Sequence, residues 1–168
     1  MNDDPIVYGN NAKILHFKNA IPKDLATHLK NLIEIKAKEH NATRIQTICK
    51  KPVKGPIKDI LTKIKNIVER LTNESLDFSN CHTITKHLPG TQIKWHYDVR
   101  TNNEKYKIVI YLGDSLASTT FKIDDDTLFT PQIDICDVLV FDINLYHCGQ
   151  KNEDFKYLLG TKLVPSCN

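Results

Sequence analysis

His96, Tyr97 and Asp98, answered by His147 far downstream, are the residues whose types and spacing point most directly to chemistry. In an extended strand, side chains two apart project from the same face, so His96 and Asp98 offer an imidazole and a carboxylate to one point while Tyr97 points away. His147, from a distant strand, closes the set. Two histidines and one carboxylate on one side of a metal leave the opposite positions open, an arrangement suited to Fe(II) that must also bind oxygen and a second reactant. His-x-Asp alone is a weak signal, and its context strengthens it. The pair stands where a strand over Ile93 to Tyr97 runs into the polar segment Val99 to Glu104. His147 follows Val138-Leu139-Val140-Phe141 through a short polar link, so it either starts the next strand or ends the connecting turn. Strand ends gathered at one mouth of a barrel form a common, partly dry site.

Such ligands need a scaffold, and the hydrophobic pattern supplies one. Ile6 to Tyr8 and Lys13 to Phe17 read as short strands around the turn-prone Gly9-Asn10-Asn11. After Pro22, well placed in a first helical turn, Leu25, Leu29, Leu32 and Ile33 share one helical face. Arg44 to Cys49 is extended in pattern, and Lys51 to Pro56, with two prolines and Gly55, is a loop. From Pro56, Ile57, Ile60, Ile64, Ile67 and Leu71 recur at helical steps between Lys58, Lys63, Lys65 and Glu69, which gives a second amphipathic helix. Beyond Asn80 the period changes. Strands are expected at His82 to His87, Ile93 to Tyr97, Tyr106 to Leu112, Thr119 to Ile123, Thr127 to Thr130, Asp137 to Phe141 and Phe155 to Val164. Short strands after two helices predict an α+β domain whose sheets pack into a sandwich or barrel.

The 168 residues suit one domain, 1–168, and the net charge of +3 is small. Arginine occurs only at Arg44, Arg70 and Arg100, so neither a nucleic-acid footprint nor a membrane-binding patch follows. Five scattered cysteines without a Cys-x-x-Cys pair fit a reduced, intracellular, cytoplasmic setting. A secretory signal and a membrane span are not expected from the acidic, polar start and the absence of a long apolar run. Asp124-Asp125-Asp126 reads as a solvated hairpin turn, lacking the other ligands of a calcium loop. His16, His28, His40 and His82 have no partner at ligand spacing and read as structural or surface residues.

From Lys13 to Val164 the chain resembles the 2-oxoglutarate/Fe(II)-dependent dioxygenase superfamily, particularly its prolyl 4-hydroxylase-like branch. The motifs that carry the likeness are Lys13-Ile14-Leu15-His16-Phe17 before Ile21-Pro22, then His87-Leu88-Pro89-Gly90, His96-Tyr97-Asp98 and Ile108-Val109-Ile110-Tyr111-Leu112. Asp137 to Phe141, His147, Gly149 and Lys156-Tyr157-Leu158-Leu159 complete them in the family's order. The resemblance implies a double-stranded β-helix, a jelly-roll or cupin-like barrel over about 80–165, with two N-terminal supporting helices within about 18–75. It also implies catalytic Fe(II) at His96, Asp98 and His147, 2-oxoglutarate and O2 as co-substrates, and ascorbate as an accessory.

In such enzymes the distal carboxylate of 2-oxoglutarate needs a cation, for which Arg gives a two-pronged pair and Lys a point charge. No Arg follows Arg100, so the C-terminal part of the chain offers Lys151, Lys156 and Lys162. Lys156 lies nine residues beyond His147, the interval at which the resembled branch places its Arg or Lys. Lys162 shares its strand parity and is the fallback; the bland reading of Lys156 is a charge guarding a strand edge. Tyr111 is expected either to hydrogen-bond the same carboxylate or simply to pack in the core. Departures from the family pattern are His87 in place of a tyrosine, Leu116-Ala117-Ser118-Thr119 in place of a Gly-Gly turn, and Cys136 in place of a glycine.

The expected activity is hydroxylation of a C–H bond coupled to decarboxylation of 2-oxoglutarate to succinate, with a protein or peptide side chain, proline first, as target. Segments Cys49 to Gly55 and Val99 to Lys105 are candidate lips of a peptide groove, and Arg100 a candidate substrate contact. A small molecule or free amino acid is the alternative target. A cupin-like metal-binding protein without oxygenase activity, or an inactive relative that binds a partner, are the alternatives outside the class. Nothing in the sequence sets an oligomeric state.

Overall fold

The structure is a computed structural model that describes residues 4–9, 13–39, 45–49, 54–98, 103–113, 115–124 and 127–166. Arg44, Arg100, Asp125, Asp126 and His40 lie outside them, as does most of both expected lip segments.

Two helices interrupt an otherwise β-rich chain. The elements run β1 (Ile6–Tyr8), β2 (Ile14–Phe17), α1 (Lys23–Glu39), β3 (Ile45–Cys49), α2 (Pro56–Thr72), β4 (Leu76–His87), β5 (Ile93–His96), β6 (Tyr106–Tyr111), β7 (Thr119–Lys122), β8 (Leu128–Phe129), β9 (Val138–Asp142), β10 (His147–Gly149) and β11 (Lys156–Pro165). Helix α2 begins at Pro56, whose fixed φ suits a first turn. It ends on Asn73 in the left-handed conformation, whose N–H closes back on the Glu69 carbonyl.

All strand pairs are antiparallel. They form a seven-stranded sheet in the order β1-β2-β9-β6-β11-β4-β3 and a four-stranded sheet in the order β5-β10-β7-β8. Alternation along each strand of the large sheet divides its residues between two cores. On one face Leu15, Ile108, Ile110, Val140, Leu159 and Leu163 pack with Ala26, Ile33, Ile57, Leu61, Ile64 and Val68 of the helices. On the other, Ile14, Val109, Tyr111, Leu139 and Phe141 meet Phe121 of the small sheet, with the Phe121 and Phe141 rings edge to face at 4.9 Å. The expected α+β arrangement of two packed sheets with two N-terminal helices is thus observed.

Both helix faces differ in detail from the expected stripes. In α1 the buried line is Ala26, Ile33 and Ala37, while Leu32 is 44 % exposed. Alanines let the helix lie close to the sheet, and that contact turns the branched Leu32 outward. In α2, Leu61 and Val68 are buried and Leu71 is 41 % exposed. Helix α1's buried line and that of α2 both differ from the set that spacing alone selects, because several apolar residues compete for one face and packing decides between them.

Eight strands follow the helices instead of the seven expected. Strand β10 is only three residues long and was expected as either a strand start or a turn end, while β4 begins six residues before His82. Its partner register jumps from Thr161↔His82 to Leu163↔Phe78, so two extra residues bulge out of β4 and break the alternation there.

Candidate metal centre

Strands β5 and β10 are neighbours in the small sheet, and their register sets His147 directly opposite His96. The two imidazole rings lie 4.4 Å apart. Asp98 follows β5 by two residues. Together the three side chains can each present one ligand atom within 4.8 Å of the others. Tyr97, between them in sequence, turns away: it is 61 % exposed and packs on Tyr146 at 4.8 Å. Trp95 stacks on the same Tyr146 ring at 5.3 Å.

Each ligand is prepared for metal. The Nδ1 of His96 lies 2.8 Å from the Lys94 carbonyl and that of His147 2.8 Å from the Leu145 carbonyl. A carbonyl only accepts, so Nδ1 carries the proton in both rings and the lone pair is at Nε2. Burial holds the pKa of His147 below its usual value, which keeps it in the neutral, ligating form. Asp98 is asymmetric. Its Oδ1 accepts from the Lys107 ammonium at 2.6 Å, whereas Oδ2 is buried without a hydrogen-bond partner among the described residues and lies 3.7 Å from His147 Nε2. A buried carboxylate oxygen left unpaired is costly, and a cation on Oδ2 removes that cost. The N, N, O donor set fits Fe(II) on these grounds.

A second constellation lies along the inner face of the large sheet. Lys107, Val109 and Tyr111 alternate inward on β6, and Tyr111 is about 13 Å along the strand from Lys107. On the neighbouring β11, Lys156, Leu158, Gly160 and Lys162 share that face, with Leu158 opposite Tyr111 and Lys162 opposite Lys107. Lys156 is 6 % exposed, and its ammonium sits 5.4 Å from the Tyr111 ring centroid. No carboxylate among the described residues accompanies it, and burial pulls its pKa from 10.5 down to about 8. The Tyr111 hydroxyl bonds Thr119 Oγ1 at 3.0 Å, and burial pushes its pKa up to about 12, so it stays a proton donor. The Ser118 hydroxyl is buried next to that of Tyr111. A buried cation without a counter-charge among the described residues suits the carboxylate of a ligand.

Lys162 has a different setting: its ammonium is 3.1 Å from Glu104, itself 2 % exposed. His87 is the cross-strand partner of Lys156 on β4 and is 5 % exposed, packed beside that cation. The departures from the family's turns are accommodated locally. None of Leu116, Ala117, Ser118 and Thr119 adopts positive φ, whereas Cys136 does, at 75°, the conformation for which glycine is usual. Asp124 serves its turn, accepting from the Thr127 N–H at 2.9 Å. His16, read from the sequence as structural or surface, bonds Asp137 at 2.7 Å deep in the protein.

Sequence reasoning missed Lys107, Ser118 and Thr119. For Lys107 a signal existed: it shares strand parity with Val109 and Tyr111, so a lysine was due to point inward. For Ser118 and Thr119, in a connection and at a strand start, no periodicity gave a direction.

No protein-family model and no curated protein matches the sequence. Solved structures do. A prolyl 4-hydroxylase from Pseudomonas putida superimposes with a TM-score of 0.71 at 13 % identity, over 92 % of this chain and 94 % of that one. The viral collagen prolyl hydroxylase of Paramecium bursaria Chlorella virus-1, in truncated form, gives 0.70 at 12 % identity over 98 % and 95 %. The α-ketoglutarate-dependent carbocyclase SnoK of nogalamycin biosynthesis gives 0.72 at 11 % identity over 91 % and 79 %. At these identities the likeness is one of architecture, and the chain has the fold of the 2-oxoglutarate/Fe(II) oxygenases.

Proposed function

We propose that the protein is an Fe(II)- and 2-oxoglutarate-dependent dioxygenase, one domain over 1–168 built as a double-stranded β-helix, that hydroxylates a C–H bond. The observation that carries this reading is the convergence of His96, Asp98 and His147 around a buried, unpaired carboxylate oxygen. His96 and His147 would hold Fe(II) through Nε2 and Asp98 through Oδ2. Lys156 would bind the distal carboxylate of 2-oxoglutarate, with Tyr111 donating a second hydrogen bond. The bound iron and co-substrate supply the oxidising chemistry, with succinate and CO2 as by-products. The protein's own part is to orient and to exclude water: Phe121 and Phe141 pack against His147 at 5.9 and 5.0 Å and close the apolar side of the site.

A protein side chain, proline first, is the favoured target. The neighbours with prolyl hydroxylase activity in their names support it, as does one described in complex with a peptide fragment of hypoxia inducible factor. A small-molecule target is the second reading, favoured by similarity to a carbocyclase and an epimerase of nogalamycin biosynthesis. Anaerobically loaded protein given O2 should form succinate in step with loss of 2-oxoglutarate. Mass spectrometry of proline-containing peptides should then show a gain of one oxygen dependent on both iron and 2-oxoglutarate. Succinate without any marked peptide would move the target to small molecules, and absence of succinate would remove the oxygenase reading.

A further inference from the structure

Lys107 is a neighbour of the ligand set that the iron-site reading leaves without a task. It projects from the inner face of β6, flanked in register by Phe141 on β9 and Lys162 on β11. Its ammonium lies 5.8 Å from the Phe141 ring and 2.6 Å from Asp98 Oδ1, and its side chain is 23 % exposed. The two oxygens of Asp98 are therefore treated differently. One is held by a short, charge-assisted bond, and the other is buried and free of hydrogen bonds to described residues.

Charge compensation alone does not account for this lysine. Once a dication sits on Asp98, the carboxylate is already compensated, and an ammonium beside that dication repels it. What the ammonium still does is occupy Oδ1. A carboxylate with both oxygens available can take a metal through either or both, and the second contact uses a coordination position. We propose that Lys107 is a positioning residue for the iron site: by holding Oδ1 it presents Oδ2 as the single oxygen of Asp98 and keeps the positions opposite the triad for the reactants. The proposal rests on the iron-site reading above.

Co(II) added to the full chain reports both affinity and coordination through its visible absorption. Lys107→Met keeps the aliphatic stem and removes the donor. It should bind Co(II) with visible bands shifted in position and intensity, because Oδ1 is freed to enter the coordination. Lys107→Arg, which restores a donor, should recover both. Wild-type bands in Lys107→Met overturn the proposal whatever the affinity does, because they reduce Lys107 to a nearby charge. Should Lys107→Met fold poorly by circular dichroism, Lys107→Gln carries the same comparison. Wild-type protein that takes up no Co(II), or Asp98→Ala that takes it up equally well, sinks the iron-site reading itself and this proposal with it.

Discussion

At one end of the inner face of β6, Lys107 meets Asp98, and on the adjacent strand Lys162 meets Glu104. At the other end Lys156 is nearly as inaccessible as the core, with the Tyr111 ring beside it and no acid among the described residues. Three lysines on one face of one sheet thus fall into two kinds. Where the acid is supplied by the fold, the cation's work is internal to the protein. Where it is withheld, the fold bears an unmet desolvation cost, and such a cost is a mark of a ligand site. Distance along the strand separates the two ends, so a substitution at one should leave the other's signature in place.

The severest break is at the metal end. Asp98→Ala removes the oxygen that has no other partner, and should abolish both metal uptake and iron-dependent turnover while leaving Lys156 buried as before. Equilibrium dialysis with Mn(II) measures the first and succinate formation the second. Retained turnover would remove Asp98 from the ligand set.

Next comes the uncompensated end, where binding and stability should move in opposite directions. Lys156→Met should weaken 2-oxoglutarate by about a hundredfold, the upper range for a hydrogen bond to a charged group. Lys162→Met, whose partner is Glu104, should not. At neutral pH the same Lys156→Met substitution should stabilise the ligand-free protein by on the order of 2–3 kcal/mol, since it deletes a buried charge whose pKa is drawn down to about 8. The pH dependence has a defined sign. Between pH 8 and 10.5 the unfolded chain keeps the proton that native Lys156 has released, so wild-type stability from this group rises with pH across that window and is depressed below it. Urea titrations of ligand-free protein at pH 7 and pH 10 should show this gain in the wild type and not in Lys156→Met. Affinity for 2-oxoglutarate runs the other way, falling above about pH 8 as the ammonium is lost. An affinity flat from pH 7 to 10 would point to another anchor.

How much of this contrast is legible in the sequence follows from what each residue depends on. His96 and Asp98 are two apart in a strand, so local parity puts them together. His147 and Lys156 were identified through order and interval, and the fold then sets His147 opposite His96 by cross-strand register. That Lys156 lacks an acid and Lys162 has one is not local information, because Glu104 is 58 residues from Lys162 in sequence. His16 and Asp137, 121 residues apart, are invisible as a pair for the same reason. Strand existence was legible through alternation. The three residues of β10 and the bulged start of β4 were not, since one is too short to show a period and the other breaks it.

A milder test sharpens the picture at the Lys156 end. Tyr111→Phe keeps the ring beside the ammonium and removes the hydroxyl. The hydrogen bond lost to the ligand is one to a charged carboxylate, about 1.5 kcal/mol, or roughly tenfold in 2-oxoglutarate affinity, and Thr119 Oγ1 loses its partner as well. If Tyr111 is only core packing, the affinity will not change while stability falls by a similar amount. Calorimetric titration with 2-oxoglutarate beside a urea titration separates these outcomes.

The smallest effect is expected from Cys136→Gly. Cys136 holds φ at 75°, its N–H donates to the Tyr111 carbonyl at 2.9 Å, and its own carbonyl accepts from the Ile21 N–H at 3.1 Å. The left-handed conformation costs a non-glycine residue roughly 1–2 kcal/mol. Against this, the thiol side chain is 1 % exposed in the helix-side core, and its burial returns a similar amount. Cys136→Gly relieves the first and forfeits the second, so its stability should lie within about 1 kcal/mol of wild type. Cys136→Val keeps an apolar side chain but places a β-branched residue at positive φ, and should lose about 2 kcal/mol or more. The two variants together separate backbone strain from burial at a residue bonded to the strand end that carries Tyr111. If valine were tolerated as well as glycine, the left-handed turn would not be what holds that strand end in place.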